Sequence, residues 1–236
     1  MLEHIIERSR AAEHLHQIVV ATSTLPQDDT VASLARDIGV EVFRGSADDV
    51  LQRYWAACEW CGAEIVVRLT GDNPFCEPAL IDRAIRVLVK EGADYCSNKL
   101  QPTFPDGLDV EAFSAQALRR ACAEAPLRSE REHVTPYIWK NPGHFSLADF
   151  LHDRNLSHLR WTVDYPPDLA FARAVYGHLY PRNPTFSMSD VLDCLGRYPE
   201  LCALNSGIPR NEGYLASLTR ESACLQNSEF SQLPCC

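Results

Sequence analysis

The sequence predicts an α/β fold with a mostly parallel sheet, and three observations favour it. Short β-rich runs alternate with helical patterns of about ten to fifteen residues, as βαβ crossovers require. Two of the runs, 64–69 and 159–163, lead into a turn that carries Asp and then into a Pro-led helix. The chain has 236 residues with 46% hydrophobic content, which is enough for one sizeable core.

The order of strands and helices is predicted from the hydrophobic periodicity, the helix-capping residues and the Gly and Pro residues that end regular structure. Strands are expected at 18–22, 40–43, 64–69, 94–97, 108–113 and 159–163. Helices are expected at 2–14, 29–38, 48–61 with Ser46 as its N-cap, 78–90, 115–124, 129–140, 167–179 and 188–197. Residues 99–158 break the strict alternation and read as an irregular insertion, which is often a lid or a dimer arm. Residues 1–214 are predicted to form a single domain, and 215–236 a poorly ordered tail.

Charge and composition exclude several classes of protein. The net charge of -10 and pI near 5.2 argue against nucleic-acid binding, which needs clustered Lys and Arg. No apolar run approaches the roughly 20 residues of a membrane span, and the first residues do not form a signal peptide. The expected location is cytoplasmic, with no membrane partner.

The ten cysteines are expected to be mostly reduced and buried. Cys58 and Cys61 form a CxxC pair, but no second pair stands at zinc spacing and both fall within the predicted helix 48–61. The favoured interpretation is a core helix. The terminal pair, Cys235 and Cys236, is expected to be a frayed end.

Asp72 is the first candidate for a metal or substrate ligand. It follows the strand 64–69, and open α/β folds bind ligands at the carboxyl edge of the sheet. Asp164 follows the strand 159–163 in the same way, so the two carboxylates are candidates to share one cation. The alternative for each is a helix N-cap placed after a strand.

Seven blocks of sequence carry a resemblance to a known family. They include Arg-Leu-Thr-Gly-Asp-Asn-Pro at 68–74, Pro-Asp-Gly-Leu-Asp-Val-Glu at 105–111 and Leu-Arg-Trp-Thr-Val-Asp at 159–164. The others are Ile18–Thr24, Val42–Leu51, Ser129–Tyr137 and Arg210–Tyr214. Together they resemble the cytidylyltransferase family of acylneuraminate synthetases, most closely its spore-coat polysaccharide branch, over about residues 1–215.

The resemblance implies a Rossmann-like nucleotidyltransferase fold of the nucleotide-diphospho-sugar transferase type. The implied reaction transfers a cytidylyl group from CTP to a sugar or sugar acid for surface polysaccharide synthesis. Asp72 and Asp164 would be the catalytic, Mg²⁺-holding acids, which suits a cation that prefers oxygen ligands. A homodimer is possible. The implied substrate-binding residues are Thr22, Ser46, Arg68, Asp106, Asp109, Arg131 and His133.

One departure from the family pattern stands at the start of the chain. The family begins with a strand and a phosphate-binding loop, whereas this sequence begins at the first helix. The first strand of the sheet is therefore expected to be missing, and the chain as given is expected to be impaired as an enzyme, because that loop supplies amides and cations to the triphosphate.

Two other functions stay open. The first is a noncatalytic remnant that binds a sugar nucleotide or a partner. The second is a metal-dependent glycosyltransferase, which needs a D-x-D motif at a strand end, and Asp109-Val110-Glu111 is its nearest approximation.

Overall fold

The strands and helices of the protein alternate as the sequence predicts, with two sheets in place of one. The computed structural model describes residues 1–210 and 212–230, so Cys235 and Cys236 lie outside the described residues. The strands are β1 Val19–Ser23, β2 Glu41–Gly45, β3 Ile65–Arg68, β4 Tyr95–Ser97, β5 Glu111–Ser114 and β6 Leu147–Asp149. The helices are α1 Leu2–Ser9, α2 Asp29–Asp37, α3 Val50–Cys61, α4 Pro78–Glu91, α5 Ala115–Glu124, α6 Arg128–His133, α7 Pro136–Trp139, α8 Pro166–Leu179, α9 Met188–Arg197 and α10 Glu212–Phe230.

The sheet pairing is more mixed than predicted. β1 and β2 form a two-stranded parallel sheet, and a four-stranded sheet has the order β3-β5-β4-β6. β5 runs antiparallel to β3 and β4, whereas β4 and β6 are parallel. The chain goes from β4 to β5 through a loop without a crossover helix, and such a connection reverses the strand direction. The α/β class is therefore confirmed, with parallel pairing of β1 with β2 and of β4 with β6, and β5 is the exception to the expected parallel pairing.

Strands β1 and β3 each have one edge without a strand partner in residues 1–210 and 212–230. Their residues are correspondingly less buried than those of β4, which is buried throughout. Parallel strands usually belong to larger sheets that are covered on both faces. β2 and β6 also have one unpaired edge each among the described residues, and β2 is exposed to a similar degree as β3.

Residues 99–158 contribute to the main sheet itself. They supply β5 and β6, and helices α5, α6 and α7 pack beside them. Tyr95 and Phe113 stack across β4 and β5 in the core cluster that also contains Leu118 and Ile138. The segment that reads as an insertion is therefore a structural part of the domain.

The predicted strand 159–163 is not a regular strand. Only an isolated parallel bridge joins Arg160 to Asp106, supported by a hydrogen bond from the Trp161 N–H to the Asp106 carbonyl at 2.6 Å. The bridge partner of Arg160, Asp106, lies in a loop, so a single bridge forms in place of the predicted strand pairing.

Residues 212–230 form helix α10, so part of the segment predicted to be a poorly ordered tail, 215–236, is helical, and residues 231–236 lie outside the described residues. Ser217 is buried, and the Glu221 carboxylate accepts hydrogen bonds from the Ser129 N–H at 3.1 Å and the Ser129 hydroxyl at 2.8 Å. These polar contacts hold α10 against α6. Because they are polar, the apolar periodicity of the sequence does not reveal them. Among the described helices, none has the length and apolar character to cross a bilayer.

Candidate functional site

Asp72 and Asp164 lie at the same edge of the fold. The loop after β3 carries Asp72, whose backbone carbonyl accepts a hydrogen bond from the Val163 N–H at 2.8 Å. The Thr70 hydroxyl bonds to Asp72 Oδ1 and fixes one oxygen of that carboxylate. Because Asp164 is the next residue after Val163, this backbone contact brings the two acidic positions close together.

Gly107 allows the loop 105–109 to approach this edge. Its φ is +102°, and a Cβ at this position would lie 2.4 Å from the Thr162 nitrogen and 2.6 Å from the Trp161 carbonyl carbon. Only glycine fits such a contact with backbone. The close approach carries Asp106 and Asp109 to the same edge as Asp164.

Four carboxylates and two guanidinium groups form what we name the acidic cluster: Asp106, Asp109, Asp164, Asp168, Arg160 and Arg210. Arg160 is its centre, because it binds Asp106 at 3.3 Å, Asp164 at 2.6 Å and Asp168 at 2.9 Å. Arg210 Nη2 donates to Asp109 at 2.5 Å, and Arg210 Nε lies 3.7 Å from Asp106.

The carboxylates of the acidic cluster differ in their surroundings. Burial raises the pKa of Asp106 to about 6, against the opposing effect of Arg210. Burial also acts to raise the pKa of Asp168, but hydrogen bonds from Arg160 and Asn205 outweigh it and the pKa is lowered. Asp168 further accepts the backbone N–H groups of Asp164 and Tyr165, which caps the start of α8. Asp164, by contrast, keeps 45% of its side chain exposed.

A second group, which we name the basic cluster, comprises Arg68, Lys99, Glu111 and His133. Arg68 Nη1 donates to Glu111 Oε2 at 2.5 Å, and Lys99 Nζ lies 3.8 Å from the same oxygen. Glu111 Oε1 accepts the hydroxyls of Tyr95 at 2.7 Å and Thr135 at 2.5 Å. Burial acts to raise the pKa of Glu111, yet Lys99, Arg68 and these hydroxyls together lower it to about 2.

His133 lies at the end of α6, directly before a strained turn. Val134 is buried with φ +73° and ψ -58°, and the Thr135 N–H donates to the His133 carbonyl at 2.9 Å. This is a γ-turn of the rare strained type, which splits the predicted helix 129–140 into α6 and α7. The ring of His133 lies 3.0 Å from the Ser217 hydroxyl, and burial lowers the pKa of His133, with Arg68 and Lys99 acting in the same direction.

Three of the predicted substrate-binding residues make structural contacts elsewhere. The Thr22 hydroxyl donates to Asp28 at 3.1 Å. Ser46 accepts the Asp49 N–H at 3.0 Å, and the N-cap of α3 is Asp49, so the prediction of Ser46 as the cap was wrong. The reason is that α3 begins at Val50, so the position immediately before the helix belongs to Asp49.

Arg131 is also used within the fold. Its Nε donates to Asp49 at 2.7 Å, and its Nη1 donates to the carbonyls of Cys122 and Ala125 at 3.1 Å each. These bonds tie α6 to α3 and to the end of α5. Arg131 is therefore directed away from the two clusters, although its neighbour His133 belongs to the basic one.

The donor set at the edge fits a hard divalent cation. Within the described residues, Asp72 Oδ2 and Asp164 Oδ1 have no hydrogen-bond partner, so one oxygen of each carboxylate is available. The same residues contain no group of three or more His, Cys, Asp or Glu side chains arranged to hold a metal. Two carboxylates are the number with which Mg²⁺ is commonly held when phosphates and waters complete its shell.

Sequence reasoning missed Arg160, Arg210, Lys99 and Glu111. Arg160, Arg210 and Glu111 lie within the seven family-like blocks, but their roles depend on partners far away in sequence, such as Asp106 for Arg160 and Arg68 for Glu111. The one local signal is the four-residue spacing from Arg160 to Asp164. Lys99 gave no signal, because a lone lysine after a short strand is ordinary.

Comparison with known proteins shows which proteins this chain resembles. A relative from Methanocaldococcus jannaschii, an uncharacterized protein, is 33% identical over 216 residues, covering 91% of this chain and 86% of that protein. The spore coat polysaccharide biosynthesis protein SpsF of Bacillus subtilis is 30% identical over 208 residues, covering 85% of each.

The fold also matches a solved structure, that of a cytidylyltransferase from Leptospira borgpetersenii. The TM-score is 0.83 at 29% identity, covering 89% of this chain and 87% of that one. A profile described as cytidylyltransferase matches residues 1–176. This chain belongs to the cytidylyltransferase family.

Proposed function

We propose that the protein transfers a cytidylyl group from CTP to a sugar, releasing pyrophosphate, in the synthesis of a surface polysaccharide. The observation that carries the proposal is the meeting of Asp72 and Asp164 at one edge, where each carboxylate has an oxygen free of protein partners. Family membership supports the nucleotide, and the likeness to SpsF supports the polysaccharide and the spore-coat branch of the acylneuraminate synthetases.

Asp72 and Asp164 would hold Mg²⁺ in this proposal. When bound, the ion would neutralise part of the roughly four negative charges of CTP and of the departing pyrophosphate. Arg160 positions Asp164 through its bond at 2.6 Å, and Thr70 positions Asp72. Both ligands would thus be oriented before the nucleotide arrives, which lowers the cost of binding.

The acceptor side would be formed by the loop 105–109 and the basic cluster. Asp109 is able to accept hydrogen bonds from sugar hydroxyls, and the imidazole of His133, uncharged at neutral pH, provides one more polar contact. An acceptor hydroxyl oxygen would attack the α-phosphorus of CTP, forming the new P–O bond while the bond to pyrophosphate breaks, and the hydroxyl proton would pass to water.

The surroundings of Asp109-Val110-Glu111 argue against a glycosyltransferase. Glu111 is 1% exposed and already paired with Arg68, and Asp109 is paired with Arg210. A metal-binding D-x-D needs both carboxylates turned to one ion. The measurement of CTP binding and pyrophosphate release described next distinguishes a noncatalytic binding protein from an enzyme.

The test compares the protein with Asp72→Asn, which removes one ligand charge without changing shape. We expect the wild type to release pyrophosphate from CTP and Mg²⁺ with at least one member of a sugar panel, and the variant to be at least ~100-fold slower. Calorimetry should show weaker Mg²⁺-dependent CTP binding as well. The matched control is Asp153→Asn, an exposed loop residue.

Three outcomes are informative. Equal turnover in wild type and Asp72→Asn would contradict the role of Asp72. Tight CTP binding without pyrophosphate release for any sugar would favour the noncatalytic binding protein. Absence of CTP binding by the wild type would contradict the proposed function as a whole.

A further inference from the structure

Residues 205–210 and 212–221 form what we name the C-terminal strap, which reaches from the acidic cluster to the basic cluster. At its start, the side-chain amide of Asn205 donates to a carboxylate of the acidic cluster at 3.0 Å. Towards its end, the Ser217 hydroxyl lies 3.0 Å from Nε2 of His133 in the basic cluster. The strap therefore contacts both charged groups of the candidate site.

The strap occupies the two side chains that would bind the acceptor in the proposed function. Arg210 Nη2 donates to Asp109 Oδ1 at 2.5 Å. Ser217 occupies Nε2 of His133, and the Tyr214 ring packs against the same imidazole with 5.0 Å between the ring centroids. An acceptor that forms hydrogen bonds with Asp109 Oδ1 and His133 Nε2 must therefore replace the strap at these atoms.

Arg210 joins the strap to the loop 105–109. In addition to its bond to Asp109, its Nη1 donates to the Phe104 carbonyl at 3.0 Å, and its Nε lies 3.7 Å from Asp106. The Arg210 side chain is 16% exposed, so these contacts are less screened by water and salt than those of a surface ion pair. Arg210 is thus the strongest single attachment of the strap to the candidate site.

The rest of the strap is attached mainly through polar contacts. Its buried side chains, Asn205 and Ser217, are both polar, and Leu215 is 53% exposed. Neither of the two core clusters includes a side chain of the strap. A segment that buries little apolar surface opens locally at a low cost in free energy, and a detached helix has little stability of its own, because most helical stability in proteins comes from packing.

We infer that the C-terminal strap opens and closes over the acceptor side of the site, and that its opening frees Asp109 and His133 for the acceptor. The inference rests on the proposed function, since it names a regulation of the same site. Arg210 acts in it as a positioning residue, because it holds the strap and the loop 105–109 together. The opening itself is a property of the chain without nucleotide.

The first measurement is hydrogen–deuterium exchange of the backbone amides of residues 212–221, made without nucleotide. Arg210→Met removes the guanidinium group and keeps an unbranched side chain. We expect it to speed exchange in this segment at least ~10-fold, because losing a charge-assisted hydrogen bond raises the open fraction. Ser217→Ala removes neutral hydrogen bonds and should have a smaller effect in the same direction, and Arg210→Lys should retain part of the protection.

The second measurement is acylation of His133 by diethylpyrocarbonate, followed by mass spectrometry. The reagent modifies uncharged imidazole, and burial lowers the pKa of His133, so this ring is reactive at neutral pH once it is accessible. We expect Arg210→Met to raise the acylation rate of His133 at least ~5-fold, because opening exposes Nε2. The rate at His16, an exposed histidine far along the chain, should not change.

The matched control is Arg197→Met, which removes an exposed arginine in the last turn of α9. It should behave as the wild type in both measurements. Thermal unfolding verifies that each variant is folded. Exchange in β4, which is buried throughout, reports opening of the whole domain and should be the same in all variants.

The inference is overturned if Arg210→Met leaves exchange of residues 212–221 unchanged, or if it speeds exchange in β4 by the same factor. It is also overturned if His133 of the wild type is acylated as fast as His16, because the strap would then not cover the imidazole. None of these measurements uses CTP, so they are distinguishable from failure of the proposed function, which would appear as absence of CTP binding.

Discussion

At the scale of single residues, the site depends on charges paired over long stretches of sequence. Asp72 and Asp164 are candidates because of a local pattern, an Asp after a β-rich run and before a Pro-led helix. The long-range ion pairs near them have no such local signal. Arg160 meets Asp106 across 54 residues, and Arg68 meets Glu111 across 43 residues. One sequence contains no signal for such pairs, since each charge alone resembles a solvated surface residue.

Glu111 gives a prediction for the pH dependence of stability. Its pKa of about 2 in the folded protein lies below the ordinary value of 4.5, so its ionised form stabilises the fold above pH 4.5 and this contribution is lost as the pH falls towards 2. We expect Glu111→Gln to lower the free energy of unfolding by about 3 kcal/mol at pH 7, and by roughly half as much at pH 3. Urea unfolding at both pH values measures the difference.

The control for this experiment is Glu3→Gln, since Glu3 is exposed in the first turn of α1. It should leave both unfolding curves close to those of the wild type. A loss for Glu111→Gln that stays constant between pH 7 and pH 3 would show that packing, and not the ion pair with Arg68, accounts for its effect.

At the scale of elements, helices with clear amphipathic periods were predicted within a few residues. Helix 188–197 has the predicted bounds, and α5 at Ala115–Glu124 does too. The errors arose where tertiary contacts decide the structure. The break at Val134 and the docking of α10 through Ser129 and Glu221 both depend on such contacts. Both lie beside the candidate site, where local rules are most often overridden.

The strained turn at Val134 leads to a prediction about stability. A positive φ costs an alanine roughly 1 kcal/mol or more and costs a glycine little. We therefore expect Val134→Gly to be more stable than Val134→Ala by about 1 kcal/mol, the reverse of the usual order. Both variants should be less stable than the wild type, because the buried valine side chain is lost.

The comparison is made by urea unfolding, with Ala121 as the reference position. Ala121 is buried in α5, where the backbone is helical, so Ala121→Gly should be destabilising in the ordinary direction. If Val134→Ala proved the more stable of its pair, the strain would be relieved in solution and the turn would not be a fixed support for His133.

At the scale of the whole molecule, the α/β class was predictable from alternation, but the division into two sheets was not. Strand order depends on which edges meet, and hydrophobic periodicity does not report it. β5 joins β3 to β4 by antiparallel pairing, which the rule for helix-connected strands did not anticipate. The same arrangement leaves an edge of β1 and an edge of β3 open among the described residues.

These open edges predict concentration-dependent self-association. Unpaired N–H and C=O groups along an apolar strand form a template for pairing with a second copy of the chain, and β3 is such a strand, with Ile65 37% exposed. A lysine at the edge opposes pairing, because burying its charge is costly. We expect Ile65→Lys to raise the dissociation constant of self-association, measured by sedimentation equilibrium, at least tenfold.

The control is Val89→Lys, at a position in α4 that is 61% exposed. It also replaces an apolar side chain by lysine, but away from the sheets, and should leave association unchanged. Monomeric wild type at all concentrations, or equal effects of the two substitutions, would show that the β3 edge is not used for association.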